Sequence, residues 1–245
     1  MDKLQLRRLG PSDLNHLLEL QNNVINNFKE DEKHFILERS PEEFLKSLQN
    51  ENHFVFGFFD GKKLVSQSIL SMPSDTDKRE ISEFLPNRKN SEIAVYKAVI
   101  VDPAYRGHGI MKEMLKLREN TARMHGKKVA ISQIAADNPA SWINAIQYGM
   151  EIHKVGLDPD DGAKVVYLQK DLTQNTNNTA VKPYKLSLGS DVHKNANILF
   201  NKMKKLSDDG YIVYGWDKQD NSLLWKPSQE FSNTQILQAA TGKQK

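Results

Sequence analysis

The spacing of apolar residues predicts a definite order of helices and strands over residues 1–171. Apolar positions three and four apart are typical of amphipathic helices, whereas alternation and short β-branched runs are typical of strands. By this criterion the chain contains a strand, two helices, three strands, a helix, a strand, a helix and two strands. The order predicts an α/β protein, an α+β layered arrangement with helices on a central sheet.

Local signals set two boundaries in this order. Residues 40–43, Ser-Pro-Glu-Glu, form a capping box with proline at the first position, which predicts the start of the second helix. Asp60-Gly61 predicts a tight turn between strands at 53–59 and 63–72.

The stretch Val99–Met111 joins a predicted strand to a predicted helix through a glycine loop. Its β-branched start ends at the turn signal Asp102-Pro103, and apolar residues at helical spacing begin at Ile110. Gly107 and Gly109 lie between them, and because they lack a Cβ atom a ligand can approach the main chain closely. A helix N-terminus adds N–H groups and a favourable dipole, so the stretch predicts an anion site.

Neighbouring charges narrow the kind of anion. Arg106 precedes the glycines and Lys112 follows them, which favours a phosphorylated cofactor. The stretch lacks the Gly-x-x-x-x-Gly-Lys-Ser/Thr pattern of a P-loop and the third glycine of a dinucleotide fingerprint. A tight strand-to-helix turn without a ligand is the alternative at this point.

These residues resemble the acetyl-CoA signature of the GNAT acetyltransferase superfamily, written Arg/Gln-x-x-Gly-x-Gly/Ala. The positions that fit are Arg106, Gly107, His108, Gly109 and Ile110. Met111 departs from the pattern, because the family has a small residue there. The predicted element order also matches the family over about 170 of the 245 residues. The resemblance implies a GNAT-like central mixed, mostly antiparallel sheet with splayed parallel strands, flanked by helices.

The resemblance further implies acetyl-CoA as a co-substrate. Its pantetheine arm would run as a pseudo-strand beside Val99–Val101, and its pyrophosphate would lie on Gly107–Lys112. Asn138 and Ser141 would hydrogen-bond to the CoA arm, although Asn138 fits a plain helix cap equally well. The implied cofactor-binding residues are Val99, Ile100, Val101, Arg106, Gly107, His108, Gly109, Ile110, Met111, Lys112, Asn138 and Ser141.

The proton-handling residues that are usual in the family are missing. The tyrosine that protonates the thiolate in many relatives corresponds to Ala145, and the glutamate base of others corresponds to Gln133. The candidate catalytic residues that remain are Tyr148, Tyr96 and Glu92, whose side chains are able to transfer protons. A packing or surface role would explain each of the three as well.

The resemblance therefore implies an enzyme, an acetyl-CoA-dependent N-acetyltransferase (acyltransferase). We expect direct attack, in a ternary complex, by an amine of a small molecule or a peptide. The alternative is a catalytically weakened module that binds CoA or a protein partner. Ala145 and Gln133 favour that alternative, whereas Arg106–Ile110 and Asn138 favour the enzyme. No residue identifies the acceptor or the length of the acyl group.

Three polar segments are expected to form the acceptor pocket. They are the loop after the first helix, the long loop Pro73–Ser91 with a helical turn at Ile81–Leu85, and the turn Asp158–Gly162. A loop as long as the second is typical of a binding loop or of a solvated insertion. The acidic residues of the last turn suit a cationic amine, and they lack the spacing of an EF-hand.

Composition excludes several functions. The 245 residues are 38% hydrophobic and 27% charged with a net charge of +3, and no basic block suggests a nucleic-acid partner. The absence of cysteine excludes disulfides, thiolate zinc sites and thiol nucleophiles, and the histidines show no ligand spacing, so we expect no metal. No signal core and no run of about 18 apolar residues is present, so we expect a cytoplasmic protein without a membrane partner.

The composition changes after residue 172. The expected domains are an acyltransferase domain at 1–172, a polar linker at 173–182, and a small C-terminal helix-hairpin unit with a tail at 183–245. The last unit contains a helix capped by Asp191 and a hairpin, which makes an αββ appendage.

One helix and one hairpin bury little apolar surface alone, so we expect the appendage to pack on the first domain or on a second copy of the chain. Trp216 and Trp225 lie on the hairpin, which we expect to be exposed. Exposed indoles make this hairpin a candidate homodimer contact.

Overall fold

The structure is a computed structural model that describes residues 4–78, 81, 84–85, 87–173, 183–189 and 195–228. These residues form two compact units. The N-terminal unit holds residues 4–132 together with 171–173, and the C-terminal unit holds the described residues from 133 to 170 and beyond 182. The expected domain boundary at residue 172 remains a prediction.

The N-terminal unit is built on five paired strands. Its elements are β1 (Gln5–Arg8), α1 (Leu14–Asn26), α2 (Pro41–Gln49), β2 (His53–Asp60), β3 (Lys63–Ser71), β4 (Ile93–Val101), α3 (Ile110–Met124) and β5 (Val129–Ala135), whose last three residues belong to the other unit. The strands lie in the order β1-β2-β3-β4-β5, and all pairs are antiparallel except the parallel pair β4–β5. The predicted mixed, mostly antiparallel sheet is confirmed.

Helices cover both faces of this sheet, which buries β4 between two apolar clusters. Ile100 belongs to the cluster under α1 and α2, together with Leu17 and Phe44. Val99 and Val101 belong to the cluster under α3. Side chains that alternate between two buried faces explain why the sequence of β4 is almost continuously apolar.

The capping box at the start of α2 has the expected geometry. The hydroxyl of Ser40 accepts from the N–H of Glu43, and the carboxylate of Glu43 accepts from the N–H of Ser40 at 2.8 Å. The predicted hairpin is also present, because β2 and β3 pair across Asp60 and Lys63.

The long loop after β3 is fixed at both ends by one lysine. Lys127 Nζ donates to the carbonyls of Pro73 and Ser91, at 2.9 and 3.0 Å. Residues 82 and 83 of the helical turn expected at Ile81–Leu85 lie outside the described residues. Ile81 and Leu85 themselves are not helical, since their φ values are positive, +53° and +58°.

The C-terminal unit contains five strands, each antiparallel to its neighbours within that unit. Its elements are α4 (Pro139–Gln147), β6 (Glu151–Leu157), β7 (Lys164–Asp171), β8 (Tyr184–Ser187), α5 (Ala196–Asp208), β9 (Tyr211–Asp217) and β10 (Ser222–Pro227). The strands lie in the order β7-β6-β9-β10-β8. Strand β8 extends the expected αββ appendage to βαββ, and Leu186 is its one buried residue.

The appendage packs on β6, as expected of a unit that buries little alone. Val213 of β9 pairs with Ile152 of β6, and the N–H of Val155 donates to Ser207 Oγ of α5 at 3.1 Å. The predicted cap Asp191, linker residues 174–182 and the tail 229–245 lie outside the described residues.

The expected exposure of both hairpin tryptophans is wrong. Trp225 is only 1% exposed, on a strand that pairs on both sides, with β8 and with β9. Trp216 is half-buried and its Nε1 donates to Asn221 Oδ1 at 3.1 Å. The hairpin therefore does not present two indoles, which removes the observation on which the homodimer prediction stood.

Across the part of the chain that the structure describes, no helix combines the length and apolar content that a membrane span requires.

Candidate active site

Strand β4 provides the first part of the candidate site through its main chain. The N–H of Asp102, just after the strand, donates to the carbonyl of Val65 on β3 at 2.9 Å, so these two residues form a hydrogen-bonded pair. Hydrogen-bonded and non-hydrogen-bonded pairs alternate along an antiparallel ladder. Val99 and Val101 therefore direct their N–H and C=O groups away from β3.

The opposite edge of β4 is paired over its first residues. The parallel ladder with β5 joins Ile93–Val95 to Val129–Ile131. Beyond it, the carbonyl of Tyr96 accepts from the Oγ of Ser132 at 2.9 Å, a side-chain contact in place of a ladder bond. The peptide groups of Val99 thus lie on an edge of the strand where the β5 ladder has already ended.

The glycine loop connects this strand end to α3. Gly107 and Gly109 both have φ of +78°, in the left-handed region that L side chains rarely adopt. Gly109 is the N-cap residue of α3, and no side chain among the described residues caps that helix. The first helical hydrogen bond runs from Glu113 to Gly109, so the N–H groups of Ile110–Lys112 have no partner within the helix.

Three basic residues lie next to these N–H groups in the sequence. Arg106, His108 and Lys112 are all exposed. The Arg106 guanidinium lies 5.2 Å from the Phe28 ring centroid, and its Nε donates to the Val101 carbonyl at 3.4 Å. Exposed basic side chains and the N–H groups of a helix N-terminus are the features that favour an anion in general.

Two apolar residues of the predicted cofactor-binding set, Ile110 and Met111, lie at the start of α3. Ile110 is 2% exposed and anchors the start of α3 in the apolar cluster under that helix. Met111, at the position where the family signature has a small residue, is half-buried.

Asp102 joins the glycine loop to two neighbouring elements. Its Oδ2 accepts from Lys63 Nζ at 2.7 Å and from Asn23 Nδ2 at 3.0 Å, and its Oδ1 accepts from the Ala104 N–H at 2.9 Å. Burial acts to raise the pKa of Asp102, but the hydrogen bonds from Lys63 and Ala104 outweigh it and hold the pKa below its ordinary value. The hydrogen bond to Asp102 raises the pKa of Lys63 in turn.

Sequence reasoning missed this contact set. An aspartate directly before proline favours a turn in which its side chain accepts from the N–H two residues on, and Ala104 is that residue. This local signal was available in the sequence. The contacts with Lys63 and Asn23 had no local signal.

Glu92, a candidate base, forms an ion pair. Its Oε1 accepts from Lys128 Nζ at 2.6 Å, and this hydrogen bond lowers the pKa of Glu92. Glu92 also precedes Val99 by seven residues, which separates the two by roughly 20 Å along an extended strand. Both observations make it a weak base for chemistry near Val99.

Tyr96, a second candidate, is 2% exposed in the core of the N-terminal unit. The guanidinium of Arg118, a buried residue of α3, lies 4.6 Å from its ring centroid. The ring therefore packs as part of the layer between β4 and α3.

The remaining predicted residues belong to the C-terminal unit. Asn138 caps α4, because its Oδ1 accepts from the Ser141 N–H at 3.1 Å. Ala145 is 2% exposed. Tyr148 is half-buried, and Lys170 Nζ lies 4.2 Å from its ring centroid and donates to its carbonyl at 2.9 Å.

Gln133 and the acidic turn after β6 are in contact. Gln133 Nε2 donates to the carboxylate of Asp158. Asp158 also accepts from the N–H of Asp160, which closes the turn. Within the described ranges, no group of three histidine, aspartate or glutamate side chains could hold a metal ion.

Comparison with known proteins matches a family model to the part of the chain that contains β4, the glycine loop and α3. The model of the acetyltransferase (GNAT) family matches residues 21–144, about half of the sequence. No curated protein matches this sequence.

Solved structures share the fold at low sequence identity. An N-acetyltransferase from Staphylococcus aureus is 15% identical with a TM-score of 0.53, and the match covers 70% of this chain and 99% of that one. The ribosomal-protein-S18-alanine N-acetyltransferase from Escherichia coli is 15% identical with a TM-score of 0.52, over 73% and 99%. An N-acetyltransferase from Thermoplasma acidophilum, solved with coenzyme A, is 17% identical with a TM-score of 0.51, over 69% and 98%.

Proposed function

This chain belongs to the acetyltransferase (GNAT) family, and we propose that it transfers an acetyl group from acetyl-CoA to an amine of a small molecule or a peptide. One observation carries the proposal. The uncapped start of α3, preceded by two left-handed glycines, follows β4 through one loop, and the peptide groups of Val99 and Val101 at the end of β4 point away from β3.

We assign the pyrophosphate of acetyl-CoA to the N–H groups of Gly107–Lys112, beside the exposed Arg106. A Cβ atom built on Gly107 would meet no atom within 4 Å, so the space above this residue is open to a phosphate. We assign the pantetheine arm to the peptide groups of Val99 and Val101, which are spaced as in a β-ladder. Bound in this way, acetyl-CoA supplies an activated thioester.

The acetyl transfer forms a C–N bond and breaks a C–S bond. The amine nitrogen attacks the thioester carbonyl, whose oxygen then gains negative charge. A main-chain N–H of the segment Val99–Val101 is the proposed donor to that oxygen. The amine loses one proton and the departing thiolate gains one, so a residue that delivers a proton to sulfur would accelerate the second half of the reaction.

Tyr148 is our choice for that proton donor. Its side chain is half-buried, whereas Tyr96 is enclosed in the core and Glu92 is held by Lys128. Ala145, at the position where the family usually has tyrosine, has no proton to give.

The turn Asp158–Gly162 is our choice for a contact with the acceptor. Asp160 and Asp161 are exposed, and Asp158 is held by Gln133. Carboxylates at this turn favour an acceptor that carries positive charge, such as a polyamine or a basic peptide.

A thiol-release assay tests the proposed function. The chain has no cysteine, so every thiol detected comes from CoA. We expect amine-dependent release of CoA across a panel of polyamines and peptides, and a kcat roughly a hundredfold lower in Tyr148→Phe. Tyr184→Phe, at a tyrosine 52% exposed, is the control and should retain full activity. Tight binding of acetyl-CoA without turnover of any amine would favour the weakened binding module instead.

A further inference from the structure

We propose that Asp102 is a positioning residue for the glycine loop: it does not touch acetyl-CoA, but it fixes the loop entry to α1 and β3 so that the N–H groups beyond it face a phosphate. The inference rests on the proposed function, because it presumes that the loop binds the pyrophosphate. It adds three residues that lie outside the acetyl-CoA signature, Asp102, Lys63 and Asn23.

The burial of Asp102 sets it apart from its neighbours in the loop. It is 2% exposed, whereas each residue from Arg106 to Gly109 is exposed. An ionised carboxylate at such a position is costly unless hydrogen bonds replace its lost water. Asp102 has three, and they come from β3, from α1 and from the loop itself.

These three contacts hold the loop at its first turn. The carboxylate fixes the N–H of Ala104, and the carbonyl of Asp102 accepts from the N–H of Tyr105 at 2.8 Å. The hydroxyl of Tyr105 in turn donates to Asp60 on the β2–β3 hairpin at 2.8 Å. The segment from Asp102 to Tyr105, which precedes the first glycine, is thereby attached to α1 and to the β2–β3 hairpin.

Attachment at this point matters because the glycines add little rigidity of their own. Glycine reaches more backbone conformations than any other residue. An anion cradle binds tightly when its N–H groups already point to one place, since ordering them on binding would weaken the affinity. The fixed turn at Asp102–Tyr105 orders the loop before the ligand binds, through residues that the ligand does not touch.

The charge of the network also suits an anion site. An unpaired carboxylate at the start of the glycine loop would repel a phosphate bound there. Lys63 Nζ, at 2.7 Å, neutralises Asp102, so the carboxylate can anchor the loop without opposing the ligand.

The test compares donors with and without phosphate in the full-length protein. In Asp102→Asn, the amide oxygen can still accept from the Ala104 N–H, but the NH2 group faces the donors Lys63 and Asn23. The contacts with β3 and α1 are therefore lost while the volume is kept. We expect acetyl-CoA to bind roughly ten- to a hundredfold more weakly by calorimetry. With S-acetylpantetheine, which lacks the pyrophosphate, we expect kcat/KM within about twofold of wild type, since a hydrogen bond that acts only through the phosphate site leaves this donor unaffected.

Two matched pairs of variants control for misfolding and for simple changes of charge. Asn23→Ala removes a neutral contact and should weaken acetyl-CoA binding several-fold, whereas Asn22→Ala, at the exposed neighbour on α1, should not. Lys63→Met should act like Asp102→Asn, and its exposed neighbour Lys62→Met should not.

Each outcome has a distinct meaning. Unchanged acetyl-CoA affinity in Asp102→Asn and Asn23→Ala, or an equal loss with both donors, would overturn the positioning role. Failure of the wild-type protein to bind acetyl-CoA would instead overturn the proposed function.

Discussion

Some residues of the candidate site could be predicted from the backbone conformation that they adopt, whereas others depend on contacts with residues distant in the sequence. Gly107 and Gly109 could be predicted from the sequence, because a loop between strand and helix that needs a positive φ selects glycine. The pairing of Asp102 with Asn23, 79 residues earlier, could not, since only the tertiary fold brings them together. The same holds for the ion pair of Glu92 with Lys128, which lies 36 residues later, directly before β5.

The pKa of Asp102 leads to a prediction about stability and pH. Because the folded protein holds this pKa below its ordinary value of about 3.9, the carboxylate stabilises the fold fully above pH 4 or so. That contribution is lost as the pH falls through the lower pKa of the folded state. We expect Asp102→Asn to lower the free energy of unfolding by about 1–3 kcal/mol at pH 6.

Urea unfolding at pH 6 and at pH 3 measures this difference. The gap between wild type and Asp102→Asn should narrow at pH 3, below the ordinary pKa of aspartate, because the carboxyl of the unfolded chain takes up a proton there. Asp209→Asn, at an exposed position after α5, serves as the control with a small and constant effect. A gap of the same size at both pH values would show that the Asp102 charge does not stabilise the fold.

Whole elements were predictable where a local signal marks their ends. The capping box of α2 and the Asp60-Gly61 turn are such signals. Helix α2 starts at the expected Pro41, and each of the two strands ends within one residue of its expected bound. Strand β8 has none, because its four residues bury Leu186 alone and show no alternation. The positive φ of Ile81 and Leu85 could not be predicted either, because apolar spacing carries no information on φ.

The loop after β3 provides a prediction for the element scale. Lys127 Nζ bonds to carbonyls at both ends of this loop, and burial lowers the pKa of Lys127. Lys127→Met removes both hydrogen bonds, so amide hydrogen exchange at residues 74–78 and 90–92 should become about tenfold faster. Lys62→Met should leave it unchanged. No acceleration in Lys127→Met would mean that other contacts, such as Asp75 with Ser91, hold the loop by themselves.

At the scale of the whole molecule, the sequence predicted the family fold but not how the last strands extend a sheet. Element order and one motif were enough for the first, since both are local in the sequence. The pairing of β9 with β6 depends on residues about 60 positions apart and on the contact of α5 with β6. Trp225 is buried on β10, which pairs with β8 and β9, whereas the sequence predicted an exposed hairpin.

Packing of α5 into the C-terminal unit can be tested on one helix. Met203 is 0% exposed, so Met203→Ala should lower the free energy of unfolding by about 2–5 kcal/mol. Ile198, on the same helix, is 58% exposed, and Ile198→Ala should change it by less than about 0.5 kcal/mol. Equal effects of the two variants in urea unfolding would contradict the described packing of α5.

The central claim is that the glycine loop binds acetyl-CoA, and calorimetry on two matched glycine variants tests it most directly. Gly107 and Gly126 have φ of +78° and +70°, and a Cβ on either would meet no atom within 4 Å. Alanine therefore introduces the same backbone strain, about 1 kcal/mol, at both. We predict micromolar binding to wild type, about −8 kcal/mol, unchanged binding to Gly126→Ala, and at least tenfold weaker binding to Gly107→Ala. Equal affinity in the two variants, or no binding to wild type at millimolar acetyl-CoA, would contradict the claim.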